Sequence, residues 1–306
     1  MNVAVTLAAG TTLVLWASAF PMLRHALAHG YGPFELTLGR FIAASVTMLL
    51  LSAGRGTITL PRREWKAVAA VGVVGVGLYH SFLNYGAQTV DAGTISMIIA
   101  TSPVFTAALA VAFLGERLRR SGWVGIGISC AGAVMIAVGK DGHLRLEPGA
   151  LFVLLASFFS AIWAVVQRPV VQRVGATRVT TYATCFGTLL LLPWAPSLAN
   201  AVTAAPLHAT LAVVYLGIFP AALANTMWGF ALGQVPASRL ASLLYLMPPM
   251  TILMTWLAQD EVPAPVGLIG GAVAIAGVIV VNRSKGSSAP MVAQRTVPPP
   301  AANAGD

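Results

Sequence analysis

Polar side chains recur at helical spacing inside long apolar stretches of this sequence. His80, Asn84 and Gln88 stand four residues apart and would share one face of a helix. Polar groups are costly in such surroundings, so they either hydrogen-bond helices together or face a water-filled path. Imidazole titrates near neutral pH, so His80 is also a candidate proton-coupling residue. The alternative is that His80 stays neutral and hydrogen-bonded and couples no proton.

Similar stripes of polar and aromatic residues occur in several other apolar stretches. The candidate substrate-binding residues are Trp16, Phe20, His80, Asn84, Trp163, Gln167, Asn225, Trp228, Ser242 and Tyr245. Aromatic and amide walls with few charges suit zwitterionic or apolar small molecules, including amino acids. The alternatives are interhelical hydrogen bonding for the serines and amides, and interfacial anchoring for Trp16 and Trp163.

Arg40 stands six residues inside the second apolar stretch, where a charge is expensive. A guanidinium there could bind the carboxylate of a solute through two parallel hydrogen bonds. The alternatives are that its side chain reaches the membrane interface or pairs with another part of the protein. Glu35 is five positions away, off the helical face of Arg40, and is not an obvious partner.

The acidic residues and cysteines argue against an enzyme. The nine Asp and Glu residues fall in gaps, at the ends of apolar stretches or in the C-terminal tail. Cys130 and Cys185 lie in apolar stretches without the spacing of a metal site. The sequence therefore predicts no catalytic residue, no metal ligand and no cofactor.

The composition indicates that lipid surrounds the elements that carry these residues. Hydrophobic residues make up 57% of the 306 residues and charged residues only 9%, against about 25% in an ordinary soluble domain. The net charge of +9 is spread over short gaps rather than clustered on one face. This pattern favours membrane lipid as a partner and excludes nucleic acid.

Ten apolar runs are long enough to cross a bilayer as helices. They lie near residues 3–23, 34–54, 65–88, 92–114, 121–139, 148–167, 179–198, 207–232, 236–257 and 264–283. The first run precedes Ala17-Ser18-Ala19 and mimics a signal peptide, but Met1-Asn2 carries no positive charge, so we predict a retained span. The tail, residues 284–306, is predicted to be disordered.

Positive charge is distributed unequally between the two sides of these spans. Fourteen Lys and Arg residues fall on the side of the N-terminus and three on the other, with Arg40 inside a span. Positively charged loops stay in the cytoplasm. The bias predicts a multi-pass protein of the inner membrane with both termini in the cytoplasm.

The two halves of the chain resemble each other at a shift of 145 residues. The shift aligns Val90, Ala92, Pro103, Thr106, Glu116, Gly122, Gly125, Ala131 and Gly132 with Val235, Ala237, Pro248, Thr251, Glu261, Gly267, Gly270, Ala276 and Gly277. Nearer the start the shift is 147, and Trp16-Ala17 aligns with Trp163-Ala164. We predict two five-span units, residues 1–140 and 147–283. Because five is odd, the second unit is inverted, as in many transporters, although a duplicated packing unit without transport is the alternative.

The motifs also resemble a known family. The segments Leu15–Phe20, Arg40-Phe41, Asn84–Ala87, Ala92–Ser96 and Leu114–Leu118 are similar to EamA-type proteins of the drug/metabolite transporter superfamily. The resemblance covers residues 1–283. It implies ten spans, a central cavity between the repeats, and mostly export of amino acids, metabolites or drugs. The inverted repeat adds the expectation of alternating access.

The second half departs from that pattern. Met247-Pro248 stands where an acidic residue commonly precedes proline, and Asp260-Glu261 where Gly-Glu is usual. The resemblance therefore predicts the fold without defining substrate, direction, coupling ion or oligomeric state. The competing classes are an integral membrane enzyme or lipid-modifying protein, and a non-transporting membrane scaffold.

Overall fold

The computed structural model describes residues 3–53, 59–114, 120–137, 148–232, 234, 243–260 and 265–284. These residues form helices and connecting turns, with no strand among them. In chain order the helical stretches are α1 (Val3–Ala28), α2 (Pro33–Ala53), α3 (Arg62–Gly86), α4 (Ala92–Ile99 and Ser102–Leu114), α5 (Arg120–Ala137), α6 (Pro148–Val174), α7 (Ala176–Ala204), α8 (Leu207–Leu216, Gly217–Ala224 and Asn225–Leu232), α9 (Leu244–Leu246 and Met247–Gln259) and α10 (Pro265–Ser284).

The predicted all-helical membrane fold is confirmed. Each of the ten apolar runs overlaps one of these stretches. Within the described residues, seven stretches are long and apolar enough to cross a membrane, and Leu244–Ala258 and Pro265–Val281 are shorter apolar helices. The predicted tail lies outside the described residues, apart from Ser284 at the end of α10.

Short polar signals begin and end the helices. Asp91 caps α4, because its carboxylate accepts hydrogen bonds from the backbone N–H of Thr94 (2.8 Å) and from the Thr94 hydroxyl (2.7 Å). Gly30 follows α1 with φ +102°, a left-handed conformation that costs glycine little. The chain therefore turns sharply from α1 into α2.

The largest apolar core joins both halves of the chain. It contains buried side chains from α1, α2, α3, α4, α6 and α8, among them Phe20, Leu23, Leu36, Leu83, Ile95, Val153 and Leu216. Large apolar side chains such as Leu7, Leu50 and Leu211 are exposed on the outside, as expected of helices that face lipid. The core thus holds together the helices that carry most of the candidate residues.

The helices α5 and α10 cross at glycines in a reciprocal way. A Cβ on Gly125 would lie 2.8 Å from the carbonyl oxygen of Gly277, and one on Gly132 would lie 2.5 Å from that of Gly270. Gly125 aligns with Gly270 and Gly132 with Gly277 at the 145-residue shift. Exchanging the two halves therefore converts one contact into the other, as expected of a two-fold relation between repeats.

Candidate substrate-binding site

The helices α3 and α8 each contain a π-helical segment, in which the backbone turn is widened. The segments are Val73–Tyr79 and Gly217–Ala224, and the 145-residue shift places one almost on the other. Each is followed directly by a candidate polar residue, His80 in α3 and Asn225 in α8. Such segments are frequent at functional sites, so the surroundings of these two define the candidate site.

In α8, the widened turn is built on a proline. Pro220 has no N–H and cannot continue an ordinary α-helical ladder. Its carbonyl accepts a hydrogen bond from the indole Nε1 of Trp16 at 3.1 Å, and the Asn225 amide donates to the Ala221 carbonyl at 2.7 Å. The Trp16 ring also packs on Trp228, with centroids 5.1 Å apart. Three predicted residues thus meet around the carbonyls of this segment.

In α3, the widened turn is built on glycine. The Nδ1–H of His80 donates to the Gly75 carbonyl at 2.6 Å. A Cβ on Gly75 would lie 2.6 Å from Nε1 of Trp163, so the indole packs where only glycine leaves room. Tyr79 stacks on Trp163 with centroids 6.2 Å apart and planes inclined by 17°. His80 and Trp163, which are 83 positions apart, are therefore neighbours.

These two arrangements are equivalent under the internal repeat. Trp16 aligns with Trp163, and Pro220 aligns with Gly75. A tryptophan from the first helix of each half therefore packs on the π-helical segment of the other half. The place where the halves meet is the location that inverted repeats use for substrate.

Arg40 lies beside the α3 arrangement and is only 6% exposed. Its Cζ is 5.4 Å from the centroid of the Phe41 ring, and Phe41 packs against His80 with centroids 4.6 Å apart. His80 in turn packs against Tyr79, with ring centroids 4.3 Å apart. Within the described part of the chain, its buried Nε has no hydrogen-bond partner, and no carboxylate forms an ion pair with it.

Asn84 lies between α3 and α2. Its side-chain amide donates to the Thr37 hydroxyl at 2.9 Å, and that hydroxyl donates to the Pro33 carbonyl at 2.6 Å. Asn84 is fully buried, and its Oδ1 has no hydrogen-bond partner among the described residues. The donor of this amide is therefore used to pack two helices, while its acceptor is free for a further partner.

The other predicted residues are placed less centrally. Phe20 is buried in the main core beside Leu23, and Gln167 is half-buried one turn beyond Trp163 in α6. Tyr245 packs in another apolar cluster, with Val104 and Val278. Ser242 lies outside the described residues.

Some residues of the site are not singled out by sequence pattern. Tyr79 and Phe41 contact His80 but belong to no polar stripe. Tyr79 is the last residue of the π-helical segment and stacks on Trp163. At the end of the bundle where α1 begins, Arg173 of α6 forms an ion pair with Glu64 of α3, with Nη2–Oε2 3.1 Å and Nε–Oε1 3.2 Å. Both residues lie in the charged gaps between apolar runs, where nothing in the sequence indicates that they pair.

An all-helical bundle of membrane-length apolar helices, with two halves that resemble each other, defines a multi-span membrane transporter. The family model described as "EamA-like transporter family" matches residues 4–138 and again 147–283. The chain belongs to this family.

Relatives along nearly the whole chain are also named as transporters. A "Probable terminal-alkyne amino-acid exporter" of Streptantibioticus cattleyicolor is 38% identical over 89% of this chain and 91% of its own. The "Uncharacterized transporter YdfC" of Bacillus subtilis is 33% identical over 86% of both chains. The "Uncharacterized inner membrane transporter YedA" of Escherichia coli is 26% identical over 89% and 88%. This protein is a transporter and not an enzyme.

A solved crystal structure has the same fold. Its chain is 21% identical in sequence, and the match covers 93% of this chain and 98% of the other with a TM-score of 0.62. At this identity the likeness concerns the fold alone.

Proposed function

We propose that this transporter exports small carboxylate-bearing solutes, amino acids in particular, and that Arg40 binds their carboxylate. The observation that carries the proposal is the buried Arg40 guanidinium, which has an unused Nε donor and no ion pair within the described residues. A buried cation without an anion is unstable, and a carboxylate bound by the guanidinium fork would relieve it.

The aromatic residues around Arg40 suit the rest of such a solute. Tyr79 stacks on Trp163 and packs against His80 beside Arg40. Trp16 packs on Trp228 at the equivalent place in the other half. An ammonium group is attracted to the face of a Trp or Tyr ring, and apolar side chains pack well on indole. The amino-acid exporter among the relatives supports the same class of solute.

The arrangement in the membrane follows from the charge bias and the repeat. We take residues 1–140 and 147–283 as inverted five-helix units in the inner membrane, with both termini in the cytoplasm. The reciprocal glycine contacts of α5 with α10 and the two tryptophan contacts on the π-helical segments support this arrangement. Alternating access would then open the site to one side at a time.

The test compares amino acids with the matching amines that lack the carboxylate. Purified protein is reconstituted in vesicles, and uptake or counterflow of each pair is measured for the wild type, Arg40→Gln and Arg40→Lys. Losing one partner of a buried charge pair costs about 2–4 kcal/mol, so Arg40→Gln should lower the preference for the acid at least about 30-fold. Arg40→Lys should keep part of it, because lysine keeps the charge but loses the fork.

The matched control is Arg120→Gln, which removes an exposed arginine at the start of α5. The preference for the acid over its amine is a ratio within one preparation, so partial misfolding of a variant does not affect it. Equal preference in the wild type and Arg40→Gln would refute the role of Arg40. Transport of apolar, carboxylate-free compounds alone would assign the site to drug-like amphiphiles instead.

A further inference from the structure

Three histidines meet at the end of the bundle opposite to the Glu64–Arg173 ion pair. His25 lies in the last turn of α1, His29 directly follows this helix, and His208 is the second residue of α8. Nε2 of His25 lies 2.8 Å from Nδ1 of His208. The ring centroids of the three pairs are 4.3, 4.9 and 4.8 Å apart. The four-residue spacing of His25 and His29 thus brings their imidazoles together across the end of α1, beside that of His208.

The nitrogen positions suit a divalent metal ion. One ligand atom from each histidine lies within 4.8 Å of the others. Zinc binds imidazole nitrogens at about 2.0–2.1 Å, which places two ligands of a tetrahedral site about 3.3 Å apart. His29 and His208 are exposed, so their side chains have room to adjust to this spacing. A metal ion would replace the proton that His25 and His208 share in their hydrogen bond.

The backbone around the cluster already orients its members. The Nδ1–H of His29 donates to the His25 carbonyl at 2.8 Å, which leaves Nε2 of His29 free as a ligand. Histidines that bind metals commonly hold their second ring nitrogen in this way. The hydroxyls of Tyr31 and Thr210 are 2.8 Å apart and fasten the turn after α1 to α8. The two helices are therefore held together independently of the histidines.

We propose that His25, His29 and His208 form a binding site for a zinc-like divalent transition-metal ion that joins α1 to α8. Three neutral imidazoles favour zinc, copper or nickel over the hard cations calcium and magnesium. Three protein ligands leave at least one coordination position for water.

The repeat indicates what this junction does. The pairing of α1 with α8 is equivalent to the pairing of α6 with α3. His25 and His208 each stand one position from the equivalents of Arg173 and Glu64. The metal site thus occupies the place that an ion pair occupies at the other end. This role rests on the proposed alternating access. A bound metal would hold that end of the bundle closed and slow transport.

The first experiment measures binding without any solute. Protein with a tag that lacks histidine, in a Cys130→Ser/Cys185→Ser background, is titrated with ZnCl₂ by calorimetry. We expect one ion per chain with a Kd on the order of micromolar. Replacing any one of the three histidines by Asn should weaken binding at least about tenfold, whereas His208→Cys, which supplies another zinc ligand, should retain it.

The matched control is His143→Asn, the same change at a histidine outside the described residues, and it should leave the titration unaltered. No zinc binding by the wild type at about 1 mM, or unchanged binding in the triple Asn variant, would overturn the site. Because the titration contains no solute, it tests the metal site even if Arg40 binds no carboxylate. Likewise, failure to bind zinc would leave the Arg40 proposal unaffected.

The second experiment measures solute flux with zinc added on the side of the cluster. Zinc should slow the wild type and leave His208→Asn unaffected. If zinc binds but slows both proteins equally, the site does not hold that end closed.

Discussion

The crossing of α5 and α10 allows a quantitative prediction for Gly125→Ala. The added Cβ would lie 2.8 Å from both the Gly277 carbonyl oxygen and the Val281 backbone nitrogen. Carbon atoms in ordinary contact are about 3.5–4.0 Å from such neighbours, so the helices must separate by roughly 0.7 Å. Backbone atoms have no other rotamer to adopt, and contacts along the whole crossing weaken.

Overpacking of this kind costs about 1–3 kcal/mol, and alanine returns about 0.5–1 kcal/mol through its higher helix propensity. We therefore expect Gly125→Ala to lower the free energy of unfolding by about 0.5–2 kcal/mol. Gly127, two positions along α5, is the matched control, because no described atom lies within 4 Å of its would-be Cβ. Gly127→Ala should be neutral or stabilising by up to about 1 kcal/mol.

The assay is unfolding of each purified variant in the same detergent, followed by intrinsic fluorescence against denaturant. The difference between the two alanine variants is the informative quantity, since helix propensity contributes equally to both. A Gly125→Ala protein as stable as Gly127→Ala would refute the close crossing and remove one support for the two-fold relation between the halves.

Three further predictions concern topology, the π-helical turn of α8 and energy coupling. Reporter fusions after Arg120 should report the cytoplasm and those at Ala201 the other side, and the same side for both would contradict the inverted arrangement. Trp16→Phe keeps an aromatic ring but leaves the Pro220 carbonyl without its indole donor, so it should cost about 1–3 kcal/mol in detergent unfolding; wild-type stability would mean that this bond is not made. In vesicles, an imposed pH gradient should leave wild-type flux unchanged, because His80 is fixed by its bond to a carbonyl. Flux that follows the gradient in the wild type but not in His80→Gln would instead identify His80 as the proton-coupling residue.

The fold was predictable because lipid imposes a simple requirement on sequence. Apolar runs of about 20 residues with charge confined to the gaps identify spanning helices, and all ten stretches fall where such runs occur. The interruptions inside them were not predictable from hydropathy. Pro220 marks a break, but the equivalent widening at Gly75 has no proline, and Trp163 packs against it from the other half.

The candidate site was predictable where a residue type is itself unusual in an apolar run. His80, Asn225 and Trp16 meet π-helical segments, and Arg40 is buried. Pairings across the two halves, such as that of His25 with His208, were missed. They join residues 183 positions apart, and nothing local in the sequence encodes the partner.

The Arg173–Glu64 ion pair and the histidine cluster lie at opposite ends of the bundle, and their difference indicates how transport could be controlled from one side of the membrane. Each joins the first helix of one half to the third helix of the other, α6 to α3 by Arg173–Glu64 and α1 to α8 by His25–His208. Two-fold related halves would make these ends equivalent, so their helices can exchange the open and closed positions. Their chemistry is not equivalent. Arg173 and Glu64 carry their charges throughout the physiological range, whereas the affinity of the histidine junction depends on the metal ions dissolved beside it. Equivalent helix pairs would therefore be held by an ion pair of constant strength at one end, and at the other end by a metal site whose strength depends on the metal concentration.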